Sequence, residues 1–323
     1  MKRHVKFTTL LLAMVFLLSM TAGCSKSQEM QERTIRISIS TSYGTLTSNI
    51  MKEYQLLEKY LPDYTTVEWK TMTSASDMRD ALVAGELDVV CTSLPTFIAG
   101  YENGLPLALI SFASSVPIGL YTNDSTVTSL NDFTEKDVLC AKSKGNNGHI
   151  AFLIACLEDL GDAMALDNQI ATVQEADALG LLQTSTDYKA SIFSFPMTVK
   201  AEEAGLYEVK SFNEIINAYG IGSTYFTRQD FYQDNADIIN ALRLAQAEAI
   251  GLIAADLEGV AETLSSIFEL EPQHIVDAMK MCPPTPVYSG YDKLATLLYD
   301  IGLIDNTPTK FEDLFNYEDL DHE

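Results

Sequence analysis

The chain has 323 residues, 47% of them hydrophobic, and a formal net charge of −24 at pH 7. That length supports two domains or one large one with a full hydrophobic core, and the acidic balance disfavours nucleic acid and anionic lipid as partners, since both need a basic face. A solvated acidic surface accounts for the charge without fixing the ligand, because a local pocket can oppose the global field.

At the N-terminus Met1, Lys2, Arg3 and Lys6 precede an uncharged run over residues 7–23 that ends in Thr21, Ala22, Gly23 and Cys24. A basic start, an apolar stretch and small residues before a cut mark a secretory signal. Small residues directly before a cysteine resemble the bacterial lipobox, where cleavage precedes the cysteine and acyl chains such as palmitate are attached to it; Thr21 stands where leucine is usual. A plain signal peptide or an N-terminal membrane anchor is the alternative. Residues 25–32 are polar and short, as a tether leaving a membrane should be. The expectation is a signal over 1–23, a lipidated Cys24, a tether over 24–32 and a remainder outside the cytoplasm.

Period two places Ile35, Ile37 and Ile39 on one face of residues 33–40, which predicts a strand. A small, polar loop follows, and residues 50–60 predict a helix with Leu56, Leu57 and Tyr60 inward. Residues 65–73 predict a second strand carrying Val67 and Trp69, the latter expected in the core. Ser74 or Ser76 can cap a helix with Met78, Ala81 and Leu82 inward, and Gly85 ends it. Residues 87–91 predict a short buried strand. The middle of the chain repeats this alternation, with strands over 137–141 and 190–193 and helices over 150–160 and 176–182, so the fold class is α/β with parallel-rich sheets. Beyond residue 235 the pattern is helical: Ile238, Leu242, Ala245, Ala249 and Leu252 mark one helix, Leu264, Ile267 and Phe268 a second, Pro272 can start a third, and residues 292–299 form a last. Cys91, Cys140, Cys156 and Cys282 are widely spaced with no CxxC, CxxH or HExxH, so buried free thiols are expected, with no metal site and no cofactor.

Two halves share a pattern at an offset of 101 residues. Ser42, Tyr43 and Gly44 recur as Ser143, Lys144 and Gly145; Ser93, Leu94 and Pro95 recur as Ser194, Phe195 and Pro196; Gly104 recurs as Gly205. Small hydroxyl and glycine residues between a strand and a helix leave helix N-terminal amides free, so each loop is a polar donor site. Ligands of open α/β sheets bind outside the carboxyl ends of the strands, and two such lobes face to face would bring four loops to one small molecule. Cap or turn duty is the competing role for each serine.

ALVAGELDVV at 81–90, VTSLNDF at 127–133, YKASIFSFPMTVKAEEAG at 188–205, NADIINALRLAQAEAI at 235–250 and LLYDIGLI at 297–304 together resemble the periplasmic binding proteins of the nitrate, sulfonate, taurine and thiamine-pyrimidine-precursor type, over about residues 35–316. The resemblance implies a type II two-lobed fold with two crossing hinge strands, near residues 116–122 and 219–227. Lobe 1 would be 33–118 with 222–323, and lobe 2 would be 119–221. Carried over, the family's ligand loops fall on Ser42, Tyr43, Gly44 and Thr45; on Thr92, Ser93 and Leu94; on Gly145, Asn146, Asn147, Gly148 and His149; and on Ser194, Phe195 and Pro196. Tyr43 and Phe195 are expected as apolar walls, with the serines, Asn146, Asn147 and helix amides as polar contacts. His149 either touches ligand or sits in the first helical turn. KGNNGHI departs from the family's glycine, serine and threonine loop, and Lys144 is the evident basic candidate for a sulfonate or nitrate.

The implied function is that of a lipid-anchored, monomeric solute-binding subunit of an ABC importer, without catalysis, handing a sulfonate, nitrate, pyrimidine-like or related molecule to permease and ATPase subunits. Two alternatives remain: an enzyme of thiamine-pyrimidine metabolism on the same fold, with Cys91 near a site loop as its nucleophile, and a ligand-sensing surface lipoprotein.

Overall fold

The computed structural model describes residues 32–314, so the signal segment, Cys24 and the tether up to residue 31 lie outside the described residues. Its strands are β1 (Arg33–Ile39), β2 (Thr65–Thr71), β3 (Val89–Ser93), β4 (Leu107–Ser114), β5 (Ile118–Thr122), β6 (Val138–Ala141), β7 (Ile170–Thr172), β8 (Tyr188–Ser194), β9 (Tyr207–Ser211) and β10 (Ser223–Arg228). They sort into two five-stranded sheets, ordered β2-β1-β3-β10-β4 and β7-β6-β8-β5-β9. In the first, β1 and β3 are parallel with Ile37 opposite Val89, and β10 runs antiparallel to both β3 and β4. In the second, β6 is parallel to β7 and β8, and β5 runs antiparallel to β8 and β9. The two-lobed α/β fold expected from the sequence is the one observed.

The two orders match place for place, with β1 in the position of β6 and β3 in that of β8. In each sheet the antiparallel neighbour of that central strand arrives from the other sheet. The chain leaves the first sheet after Ser114 and joins the second at Ile118, then returns through the helix Asn213–Tyr219 to Ser223. Ser93 pairs with Ser223, and Ser194 pairs with Ile118. Both passages therefore join the sheets beside the tip of a central strand, and the described residues from Thr34 onward form one compact unit.

Local chemistry explains most of the elements. Ile35, Ile37 and Ile39 are all buried, as their spacing requires. The β3 strand is buried along its whole length, which suits a strand covered by helices on both faces. Ser74 Oγ accepts the Asp77 N–H at the start of the helix Ala75–Val83, and Gly85 at φ +76° ends the turn beyond it.

The helix expected over 50–60 is broken. Leu46–Glu53 and Leu56–Tyr60 are separate, with Gln55 in the left-handed region at φ 53° between them. In one straight helix Met51 and Leu56 would point about 140° apart, and the break lets both enter the core with Ile50 and Leu57.

The helix Ala236–Ala255 is long and apolar enough to cross a membrane by length and composition. In this protein it packs along the two helices just named, burying Ile238, Leu242, Ala245 and Ala249. A smaller apolar cluster of Tyr121, Cys140, Ala178, Leu182, Phe193, Ala201 and Leu206 lies within the second lobe.

Candidate functional site

The loops after β1, β3, β6 and β8 meet in one cleft, together with the ends of the passages between the sheets. Ser40, Ser42, Gly44, Thr45, Thr92, Ser93 and Ser223 line it from the first sheet, and Ser143, Asn146, Asn147, Gly148 and Ser194 from the second. The cleft has about 80 Å³ of room for the centres of water-sized molecules, within about 700 Å³ of atom-free space that includes its mouth. Val116, Ile118, Ile192 and Met78 supply its apolar surface.

Each loop is held by bonds of its own. Asn49 donates to the carbonyls of Ser40 and Thr45, and the Thr45 hydroxyl donates to the Ser40 and Ser42 carbonyls, closing the turn after β1. Asn146 caps the helix Asn147–Leu160 by accepting the His149 N–H at 2.9 Å. The N–H groups of Asn147 and Gly148 in that first turn have no helical carbonyl within reach. Ser93 Oγ donates to Asn147 Oδ1 across the cleft at 3.0 Å, so the two lobes touch at their tips.

His149 lies outside the cleft lining, buried in the first helical turn. Its Nδ1 accepts the Gly145 N–H at 3.1 Å, which places the ring proton on Nε2, 2.7 Å from Asp167 Oδ1. Lys144 Nζ donates to the other oxygen of Asp167 at 2.6 Å. Burial pushes the imidazole below its ordinary pKa, against the pull of Asp167. For Asp167 burial acts upward, but the bonds from Lys144 and His149 outweigh it and hold the carboxyl below its usual range.

Because His149 binds a proton less readily folded than unfolded, stability is fully present above the unfolded imidazole value, about pH 6.5, and declines as pH falls below it. The depressed Asp167 acts in the same direction only near and below the ordinary carboxyl range. His149→Gln is therefore expected to flatten the pH dependence of unfolding free energy below about pH 6.5 and to cost about 1–3 kcal/mol at pH 7.5; urea titrations from pH 7.5 downward check both.

The sequence-derived candidates divide in two. Ser42, Gly44, Thr45, Thr92, Ser93, Asn146, Asn147, Gly148 and Ser194 converge on the cleft. Tyr43, Leu94, Gly145, His149, Phe195 and Pro196 do not line it. Tyr43 and Phe195, expected as walls, turn away into the core: their rings meet edge to face at 5.5 Å, Phe195 also packs on Phe268, and the Tyr43 hydroxyl donates to the Cys282 carbonyl. Large rings so near the sheet tips are better buried against each other than left facing an aqueous cleft. Leu94 is wholly buried, Gly145 makes a turn at φ +78°, and Pro196 follows a cis peptide bond.

Lys144 is likewise spent on Asp167, and the lysine that lines the cleft is Lys142. Sequence reading also missed Glu175. It begins the helix Glu175–Thr184, at the position that the 101-residue offset matches to the cap Ser74, so the repeat itself was the available signal. Ser194 donates to Glu175 Oε1 through both its N–H, at 2.8 Å, and its hydroxyl, at 2.7 Å. Burial raises the Glu175 carboxyl above its ordinary value, with Lys142 and the Ser194 donors pulling back.

Cys91 also reaches the cleft wall. Its thiol donates to the Gly44 carbonyl, and burial pushes it up to about 12. Cys91, Cys140, Cys156 and Cys282 are all free and buried.

No protein-family model matches this sequence, and neither does any curated protein. Solved structures do match. The aliphatic sulphonate binding protein SsuA from Escherichia coli superposes with a TM-score of 0.67 at 22% identity, over 85% of this chain and 95% of its own. The alkanesulfonate-binding protein SsuA from Xanthomonas axonopodis pv. citri, bound to MOPS, gives 0.71 at 16% identity over 86% and 96%. The periplasmic nitrate-binding protein NrtA from Synechocystis PCC 6803 gives 0.61 at 17% identity over 77% and 70%. The chain thus has the fold of these binding proteins.

Proposed function

We propose that this protein is an extracytoplasmic solute-binding lipoprotein of an ABC importer, which captures a small molecule between two lobes and presents it to permease and ATPase subunits. The observation that carries this reading is a hydroxyl-rich cleft at the facing tips of two matching sheets, with the passages between them beside it. Val116, Ser223 and Ile118 belong to or adjoin those passages and line the cleft, so a bound solute touches the segments about which the lobes would turn. Ligand favours the closed form only as far as it binds that form better. The similar folds named for sulfonate and nitrate binding support the same reading.

In this account residues 1–23 direct export, Cys24 carries the acyl chains, residues 24–32 are the tether, 33–118 with 222–323 form one lobe and 119–221 the other. Catalysis is disfavoured by chemistry in the cleft: a thiol at about 12 is almost wholly protonated near neutral pH, and the thiolate is the nucleophile.

A thermal-shift screen of sulfonates, nitrate, pyrimidines, amino acids and polyamines is the test. A true ligand at a hundred times its Kd stabilises by about 2.7 kcal/mol, which raises the melting temperature by several degrees. The absence of a shift with every class would sink the binding reading, and a histidine-kinase gene beside this one instead of a permease would turn it toward sensing.

A further inference from the structure

By chain order Phe195 belongs with the second sheet, directly after β8, yet its ring is buried in the apolar core that surrounds the first. The second sheet has a cluster of its own, built on Tyr121, Phe193 and Leu206, and Phe195 is not part of it. Its ring stands instead against Tyr43 at 5.5 Å and Phe268 at 5.8 Å, edge to face with both. The Phe195 N–H donates to the Pro117 carbonyl at 2.9 Å, which ties this loop to the passage into the second sheet.

The socket belongs to the first sheet and its helices. The Tyr43 hydroxyl donates to the Cys282 carbonyl at 2.8 Å, and the Ser114 hydroxyl donates to the Tyr43 carbonyl at 3.3 Å. Phe268 ends the helix Leu257–Phe268, which packs on Leu46–Glu53 and Ala236–Ala255. Glu269 then turns the chain in the left-handed region at φ 55°, and its carboxylate accepts from Lys200 Nζ at 2.8 Å. Lys200 lies on the helix Met197–Glu203, which follows Phe195, so an ion pair crosses between the halves just beyond the ring.

None of Tyr43, Phe195, Lys200, Phe268 and Glu269 lines the cleft, so these contacts need no solute. A turn of the lobes that drew the ring from its socket would return aromatic surface to water. A polar contact such as Ser93 to Asn147 resists opening less, because water replaces the lost hydrogen bond. Resting on the two-lobed binding role proposed above, we propose that Phe195 is the tongue of an interlobe clasp: seated between Tyr43 and Phe268 and backed by the Lys200–Glu269 pair, it biases the lobes toward each other whether or not solute is bound. The solute then supplies only part of the free energy of closing, and its entry waits on withdrawal of the ring.

Small-angle X-ray scattering of the purified full-length chain, without added solute, reads the opening; the N-terminal segment is common to every sample, so differences report the lobes. Phe195→Ala is expected to shift the open-to-closed ratio by at least about tenfold, seen as a larger radius of gyration with the far-ultraviolet circular dichroism of the parent. Phe195→Leu, which refills the socket with an apolar side chain, should recover most of the parent's radius. Lys200→Glu sets two carboxylates face to face and is expected to expand the protein less, and adding Glu269→Lys, which rebuilds the pair in reverse, should undo that expansion. An unchanged radius in both Phe195→Ala and Lys200→Glu overturns the inference, as does an expansion in Lys200→Glu that the reversed pair leaves in place. If Phe195→Ala loses its circular dichroism, the Lys200 and Glu269 variants decide alone. Expansion in these variants with no ligand in the thermal-shift screen keeps the clasp and removes the importer reading; a ligand found with no expansion does the reverse.

Discussion

Tryptophan in place of Ser93 or Ser194 is expected to abolish the ligand-induced rise in melting temperature, with affinity lost by at least about a hundredfold. The two serines end β3 and β8, the equivalent central strands, and both line the cleft. An indole in place of a hydroxymethyl group would occupy much of the about 80 Å³ of room that the cleft offers the centres of water-sized molecules and leave too little beside it for a solute. Ser93→Trp also breaks the bond to Asn147 across the cleft, and Ser194→Trp removes one of two donors to Glu175. Because both side chains stand at strand tips on the cleft wall and not inside either sheet's core, the unliganded protein should keep its far-ultraviolet circular dichroism. Ligand-induced shifts that persist in both variants would show that the solute binds elsewhere.

The largest loss of stability from a single methyl group is expected at the return passage. Gly220 ends the helix Asn213–Tyr219 at φ +61°, and a Cβ there would lie 1.5 Å from the Ser289 carbonyl oxygen. The obstacle is backbone, and Gly290, also left-handed at φ +77°, packs against the same spot, so neither chain can yield cheaply. Left-handed strain costs an alanine about 1 kcal/mol, and the displaced backbone adds to it, giving a loss of about 3–5 kcal/mol for Gly220→Ala. Urea unfolding measures this. The control is Gly180→Ala, inside the helix Glu175–Thr184, where a Cβ meets nothing within 4 Å and stability should hold or rise slightly. A Gly220 variant as stable as the parent would mean that the passage from the second sheet to the first is looser than this geometry requires.

How much of this was legible in the sequence follows from the range of each signal. Periodicity is local, so the isoleucines of β1, the Ser74 cap, the Gly85 stop and the buried face of the helix Ala236–Ala255 could be read residue by residue. The offset of 101 residues carried more, because a duplicated unit repeats its loops as well as its strands, and those loops located the cleft. Short edge elements such as β7 and β9 escaped, since none of their residues is fully buried and they leave little apolar pattern.

Side-chain direction was decided only by the tertiary structure. Residues 142 and 144 both carry lysine, yet only packing sends Lys144 to Asp167 and leaves Lys142 at the cleft. Tyr43 and Phe195 sit in the right loops, and it is the nearness of Phe268 and the Cys282 carbonyl that draws them inward. Sequence alone determined that two alternating α/β units would repeat and which loops would end their strands, because strand and loop propensities act over a few residues. Which atoms of those loops face the solute depends on partners from 23 to 239 residues away, and the packing of the folded chain chose them.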